Sequence, residues 1–290
     1  MKKLTQSQVE RFNRDGYLLI EKFFDESTVQ RSIEAIKNIL SIDEVSKVAE
    51  MEPANPQTIR RIWSPVDRDP IFYEMATDPG LLDMIEQLIG KNIALHYNKL
   101  NYKGPKVGSL VDWHQDFAFY PHTNKNLLAC LIYLDKATEE NGCLEVVPQT
   151  EYSGLLNHYV DGHFRGKIDS SFFSDKMRVT LPAPAGSVIL LHCMTAHFSP
   201  VNTSNRERKT FIPAYRATDA FPIYFGPHAA HNEAKAKVIR GERSQVAEVE
   251  AMNVFLPIAE KPFGSLYEVQ DGSHLKNQSG VTKTGYYIDK

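Results

Sequence analysis

The chain has 290 residues, of which 42% are hydrophobic, 10% aromatic and 24% charged, the composition of an ordinary soluble globular protein. Its 33 basic and 36 acidic residues leave a formal net charge of -3 with the two signs interspersed, so nothing argues for a nucleic-acid partner or an anionic membrane surface. No apolar run approaches bilayer length, and the basic start Met1-Lys2-Lys3 is followed by no signal-like apolar stretch. Three cysteines, Cys130, Cys143 and Cys193, show no metal-ligand spacing; they are expected to be free, mostly buried thiols in a reducing cytoplasm.

Thr5 is placed to cap a short helix that runs through Arg14 and stops at Asp15-Gly16. Tyr17-Leu18-Leu19-Ile20 follows as an apolar strand. Asp25 caps a second helix whose Val29, Ile33, Ile36 and Leu40 share one face. Asp78-Pro79 opens a third helix over residues 81–89, which Gly90 closes. From Ile93 onward short strand-like runs alternate with Gly, Pro and Asn, and strands are expected at 93–102, 127–134, 143–147, 177–181, 187–192 and 209–215. Residues 228–250 read as helical from their Ala, Lys and Glu content, and the last two dozen residues read as loosely ordered. Helices first and many short strands later predict a mainly β sandwich or barrel dressed by helices, in one domain.

Within the strand-rich part, Trp113-His114-Gln115-Asp116-Phe117 puts an imidazole and a carboxylate at i and i+2, which face the same side of an extended segment. Taken alone, the pair could equally be a His and an Asp at a strand end. Residues 186–197 then read as a glycine turn, a buried strand and two histidines, His192 and His197. A distal histidine here would complete a two-histidine, one-carboxylate triad, which leaves coordination positions open on a non-haem iron(II). Asn202-Thr203-Ser204-Asn205 is a run of turn residues. If it tips a hairpin, His197 falls opposite Arg208, close enough for a short dicarboxylate to chelate the metal while a guanidinium takes its far end. Arg206 is nearer the tip and expected to be solvated.

Together these segments resemble the phytanoyl-CoA dioxygenase family of iron(II)- and 2-oxoglutarate-dependent oxygenases. The matching stretches are residues 113–117, Glu140-Asn141-Gly142-Cys143-Leu144-Glu145-Val146-Val147-Pro148, residues 186–197, Asn202 and Arg208-Lys209, with the helix and strand ending at Ile20 as the opening. The resemblance covers about residues 5–220. It implies a double-stranded β-helix, a cupin-like jelly roll with N-terminal and flanking helices: a helical part over 1–92, the jelly-roll core over about 93–220 and a C-terminal extension over 221–290. It implies His114, Asp116 and His197 as metal ligands, Arg208 as the partner of the co-substrate's distal carboxylate, and Ser199 and Lys103 as further co-substrate contacts. His192 then becomes a core or supporting residue.

Two departures stand out. Relatives often read Pro-Gly-Ser/Thr-His where this chain has Pro148-Gln149-Thr150-Glu151, and position 132 is Ile132 where the phytanoyl enzyme has a tryptophan. Both argue against a phytanoyl-CoA substrate. In this superfamily halogenating members lack the carboxylate ligand, so the retained Asp116 implies hydroxylation of an unactivated C–H bond, with 2-oxoglutarate and O₂ consumed and succinate and CO₂ released. Desaturation, cyclisation and epimerisation use the same cofactor chemistry. The segment after the metal pair, with Phe117, Phe119 and His122, is expected to line the substrate mouth, and residues 152–178 read as a long loop or lid. The aromatic and polar mixture suits a compact polar metabolite or natural product, an alkaloid toxin of the cylindrospermopsin type being one setting. Two rival readings remain: a jelly-roll metal- or ligand-binding protein without activity, and a cupin-like enzyme, which usually supplies three or four histidines.

Overall fold

The computed structural model describes residues 3–41, 48–52, 55–224, 237–261, 263 and 265–271. Helix α1 (Gln6–Asp15) begins where Thr5 and Gln8 cap one another reciprocally, which satisfies two otherwise orphaned backbone donors. Gly16 ends it at φ 76°, and a Cβ there would lie 2.2 Å from Thr195 Oγ1. Both the left-handed backbone and the lack of room require glycine. The chain passes straight into β1 (Tyr17–Ile20), and Asp25 then caps α2 (Glu26–Leu40). Next come β2 (Ala49–Glu52), β3 (Asn55–Trp63), α3 (Pro70–Ala76) and α4 (Pro79–Ile89). The last two helices start with an Asp cap followed by proline, whose missing N–H is an orphan at that position anyway.

Ten strands follow: β4 (Ile93–Lys103), β5 (Val111–His114), β6 (Leu127–Tyr133), β7 (Leu144–Val147), β8 (Tyr159–Val160), β9 (His163–Phe164), β10 (Val179–Leu181), β11 (Val188–His192), β12 (Ala196–Ser199) and β13 (Arg208–Ala217). Strand β14 (Lys237–Arg240) and helix α5 (Leu266–Asp271) complete the described chain. A large antiparallel sheet runs β1-β11-β6-β13-β4-β3-β2, with β14 also on β4, and a smaller one runs β10-β7-β12-β5. These are the two sheets of a jelly roll.

Side-chain alternation along each strand sorts the core into two layers. On β6, Leu128, Cys130 and Ile132 join the cluster that packs against α1–α4, where Phe12, Ile36, Phe72 and Ile85 lie. Their neighbours Leu127, Ala129, Leu131 and Tyr133 join the cluster between the sheets, with Val111, Leu144 and Val146 of the small sheet. A strand buried on both faces reads as a continuous apolar run, which is why β6 and β11 stand out in the sequence. All three cysteines are free and buried.

Four expectations are corrected. The N-terminal part is not only helical: β2 and β3 extend the large sheet, with Arg61, Ile62 and Trp63 paired to Asn101, Leu100 and Lys99 of β4. Residues 202–205 do not tip a hairpin, because β12 belongs to the small sheet and β13 to the large one, so the turn crosses between layers. Of the helix expected over 228–250, residues 228–236 lie outside the described residues. The remainder holds strand β14 and no helix, because the edge of β4 offers ladder partners that outweigh the helix-favouring composition. The last two dozen residues begin inside the buried helix α5, whose Leu266, Tyr267 and Val269 join the inter-sheet core; residues 272–290 lie outside the described residues.

The segment 152–178 also has a definite place. Leu156, Ile168 and Phe173 pack with Trp113, Val147 and Ala196 on the outer face of the small sheet. Backbone bonds from Ile168 N to Trp113 O (2.7 Å) and from Phe164 N to Ile258 O (3.0 Å) tie it down.

Candidate metal centre

Strands β5 and β12 are neighbours in the small sheet, and their register sets His114 directly opposite His197. The two imidazole centroids are 4.0 Å apart. Asp116 follows β5 on a 3-10 turn over Asp116–Ala118, and its Oδ1 lies 3.7 Å from His114 Nε2 and 3.9 Å from His197 Nε2. One ligand atom from each of the three fits within a 4.8 Å span, and all three residues are buried.

The histidines are oriented by the backbone. His114 Nδ1 is 2.8 Å from Asp112 O and His197 Nδ1 is 2.9 Å from Thr195 O, in each case the carbonyl two residues back. A nitrogen facing a carbonyl must carry the proton, so Nε2 presents its lone pair to the space shared with Asp116. Burial, and then the adjacent His114, lower His197 to about 3, so its ring is neutral at ordinary pH. Burial alone would raise the Asp116 carboxyl, but the His114 imidazole, His197 and Lys99 more than reverse this and hold it below the usual carboxylate range. Two imidazole nitrogens and one carboxylate suit a divalent iron, and the fit rests on this orientation as much as on residue type.

Behind the triad, Gln115 is fully buried. Its side-chain amide donates to Gly154 O and Met194 O and accepts from Leu156 N, and its backbone N–H donates to His158 Nε2 at 2.9 Å. Sequence reasoning passed over both Gln115 and His158, since neither residue type carries a signal without its partners.

The triad forms part of the wall of a cavity between the sheets. Arg208 and Ser199 line the same cavity, with Arg208 Nη2 3.5 Å from Ser199 Oγ. Arg208 Nε has no hydrogen-bond partner, and among the described residues no carboxylate pairs with its guanidinium. Its strand partner is Lys103 rather than His197; Arg208 reaches the site from the facing sheet, not from across a hairpin. Lys103 also lines the cavity, but its ammonium donates to three carbonyls, of Ser109 (2.5 Å), Pro200 (2.6 Å) and Ser199 (3.2 Å).

The structure does not bring Phe117, Phe119 or His122 to this cavity. Phe117 is fully buried in the inter-sheet core, with its N–H on Cys193 O. Phe119 packs edge-on to the His114 and Phe164 rings, and His122 packs against His96 and Tyr120. The 3-10 turn that follows β5 curls these side chains into the interior behind the ligands. Residues on β3, β4 and α5 take the expected place: Arg61, Tyr97, Lys99, Asn101, Leu266 and Tyr267. On β4, Tyr97, Lys99, Asn101 and Lys103 share the face turned to the cavity, but His96 and Asn98 on the other face blur the alternation in the sequence.

The phytanoyl-CoA dioxygenase profile matches residues 12–210. The chain belongs to this family of iron(II)- and 2-oxoglutarate-dependent dioxygenases. It is 32% identical over 221 residues to a probable alpha-ketoglutarate-dependent hypophosphite dioxygenase of Stutzerimonas stutzeri, covering 72% of this chain and 77% of that one. It is 28% identical over 223 residues to a methylphosphonate hydroxylase of Gimesia maris, covering 74% and 81%. Among solved structures, EctD from S. alaskensis with 2-oxoglutarate and 5-hydroxyectoine superposes with a TM-score of 0.65 at 24% identity, over 76% of this chain and 78% of that one. The jelly-roll fold of the dioxygenase family member is thereby shared with that enzyme. No described helix is long and apolar enough to cross a membrane.

Proposed function

We propose that the protein hydroxylates an unactivated C–H bond of a compact polar metabolite, converting 2-oxoglutarate and O₂ to succinate and CO₂. The observation that carries this reading is the placement of His114, Asp116 and His197 on the wall of a cavity that also holds the Arg208 guanidinium, which among the described residues has no carboxylate partner. In this proposal the triad holds iron(II), and Arg208 with Ser199 takes the distal carboxylate of 2-oxoglutarate through charge-assisted bonds. Lys103 braces the carbonyls of Ser199 and Pro200, keeping the Ser199 hydroxyl in reach of Arg208. With metal and co-substrate bound there, O₂ would be the oxidant, taking two electrons from 2-oxoglutarate and two from the C–H bond that is hydroxylated.

The chain's own contribution is positioning and exclusion of water. Ala129, Leu131, Leu144, Leu191 and Ile212 give the cavity an apolar side, against which its polar side chains are positioned. Asp116 occupies the carboxylate position, so a halide has no vacancy to fill and hydroxyl transfer is the expected outcome. A tailoring step in natural-product synthesis, on an alkaloid of the cylindrospermopsin type for example, fits this proposal insofar as the molecule presents an acidic group to the cavity's cations. The phosphorus oxyanions named for the S. stutzeri and G. maris relatives put such compounds first in a screen.

The test is succinate release from 2-oxoglutarate, with iron(II) and O₂, across a library of small molecules. Substrate-dependent release is expected in the wild type, with severe loss in His114→Ala and Asp116→Ala. Full turnover by the Asp116→Ala protein would sink the proposal.

A further inference from the structure

The cavity holds more positive charge than the metal centre uses. Arg61 and Lys99, on adjacent strands β3 and β4, both line it and are both buried, at 2% and 9% exposure. Among the described residues neither makes an ion pair. Arg61 Nε donates to Asn101 Oδ1 at 2.9 Å, and its guanidinium stacks on the rings of Trp63 (4.7 Å) and Tyr267 (4.8 Å). The Lys99 ammonium lies 5.0 Å from the Tyr97 ring centroid. Because Asn101 uses its oxygen on Arg61, its amide N–H₂ remains to donate. The three side chains thus present donors and no free acceptor to the cavity.

The nearby carboxylates have other partners. Glu50 holds Arg60 and Ser265 through Oε1, its Oε2 has no hydrogen-bond partner, and its field reaches Lys99 without forming an ion pair with it. Glu52 is held by the Ser109 N–H and hydroxyl. Asp116 belongs to the metal triad. A divalent metal, the Asp116 carboxylate, the 2-oxoglutarate dianion and Arg208 together are neutral, Glu50 offsets Arg60 and Glu52 offsets Lys103, which leaves the charges of Arg61 and Lys99 in excess. Buried cations without partners are strongly unfavourable unless a ligand supplies the opposite charge. Nor does the carboxylate on Arg208 serve both. Lys99 stands four residues, or about 13 Å of strand, from Lys103, and Lys103 is the residue paired with Arg208.

We infer that Arg61, Lys99 and Asn101 form an anion anchor, separate from the Arg208 site, that holds an acidic headgroup of the substrate while its neighbouring carbon faces the metal. This rests on the oxygenase reading and narrows its substrate to a small acid, a phosphonate or a carboxylate. The anchor gives a role to Arg61 and Lys99, the two cavity-lining charges that neither the triad nor the Arg208 site employs.

The experiment is calorimetric titration of the iron(II)- and 2-oxoglutarate-loaded protein, without O₂, with methylphosphonate, acetate and the neutral methyl ester of each. At least one acid should bind, at least about tenfold more tightly than its ester. Whichever acid binds more tightly identifies the headgroup. Lys99→Met and Arg61→Gln should each weaken that acid by about tenfold or more, with 2-oxoglutarate affinity little changed, which also reports that the variants fold. Lys99→Met should raise the Tm of the unliganded protein, since it removes a buried unpaired charge; a structural role for Lys99 would lower it. Failure of both acids to bind, equal binding of ester and acid, or variants that weaken 2-oxoglutarate instead would overturn the anchor. If the wild type does not bind 2-oxoglutarate at all, the oxygenase reading itself falls, so the two failures are distinguishable.

Discussion

At the residue scale, His114 and His197 share one device, an Nδ1 fixed by the carbonyl two residues back along the strand. The spacing of His114 and Asp116 was legible because it is local: i and i+2 on an extended backbone face one way whatever the rest of the fold does. Arg61 was not legible. An Arg-Arg pair in a sequence reads as solvated surface, yet Arg60 and Arg61 are both buried, one against Glu50 and the other against Asn101 and two aromatic rings. Only the sheet pairing reveals which way each points.

Two predictions belong at this scale. Arg208→Gln should raise KM for 2-oxoglutarate roughly ten- to a hundredfold, the loss of charge-assisted bonds of about 1.5–3 kcal/mol, while kcat at saturating co-substrate changes far less. Steady-state kinetics in 2-oxoglutarate reads this directly. The second concerns pH. Burial, then Arg61, depress Lys99 from 10.5 to about 7. A lysine with a lowered folded-state pKa costs stability in full below about 7. That cost is relieved as pH rises from 7 towards 10.5, because there the unfolded chain holds the proton and the folded chain does not. The Tm gain of Lys99→Met over wild type should therefore be largest at pH 6 to 7 and shrink by pH 9. A gain independent of pH over this range would show that Lys99 keeps its proton in the folded protein and that its pKa is not depressed.

At the scale of elements, helices α1, α2 and α4 were legible from their caps and apolar faces, and β6 and β11 from continuous apolar runs. Arg208 was singled out by a hairpin register that the fold does not contain. Its strand lies in the opposite sheet, and it reaches the site because the two sheets close on one cavity. Sequence distance from His197 was informative while the inferred pairing was not, since a turn between sheets and a turn within one look alike in composition. The Asp15-Gly16 stop was read as a helix end, and it also marks a contact. Gly16 leaves room for the Thr195 hydroxyl, which donates to Gly16 O at 2.8 Å two residues before His197. Gly16→Ala should cost about 1–3 kcal/mol from the positive φ and the clash, read by chemical denaturation. A neutral result would mean that α1 shifts freely against the metal-bearing strand.

At the scale of the whole molecule, the jelly roll separates two tasks. The large sheet packs its outer face on the helices and turns Tyr97, Lys99, Asn101, Lys103 and Arg208 inward, while the small sheet carries the triad. The segment 152–178 covers the back of the small sheet and supports Gln115 through His158 and Leu156. Helix α5 adds Leu266 and Tyr267 to the cavity wall from a region whose composition carries no signal for that placement.

The central claim is that one side chain from each of three positions builds a single iron(II) site. The most direct measurement is anaerobic calorimetric titration of iron(II) into the protein with 2-oxoglutarate present, for the wild type and for His114→Ala, Asp116→Ala and His197→Ala. The wild type should take up a single equivalent, and each variant should bind at least about tenfold more weakly, in line with loss of one ligand from a buried site. Wild-type affinity in any of the three variants would contradict it.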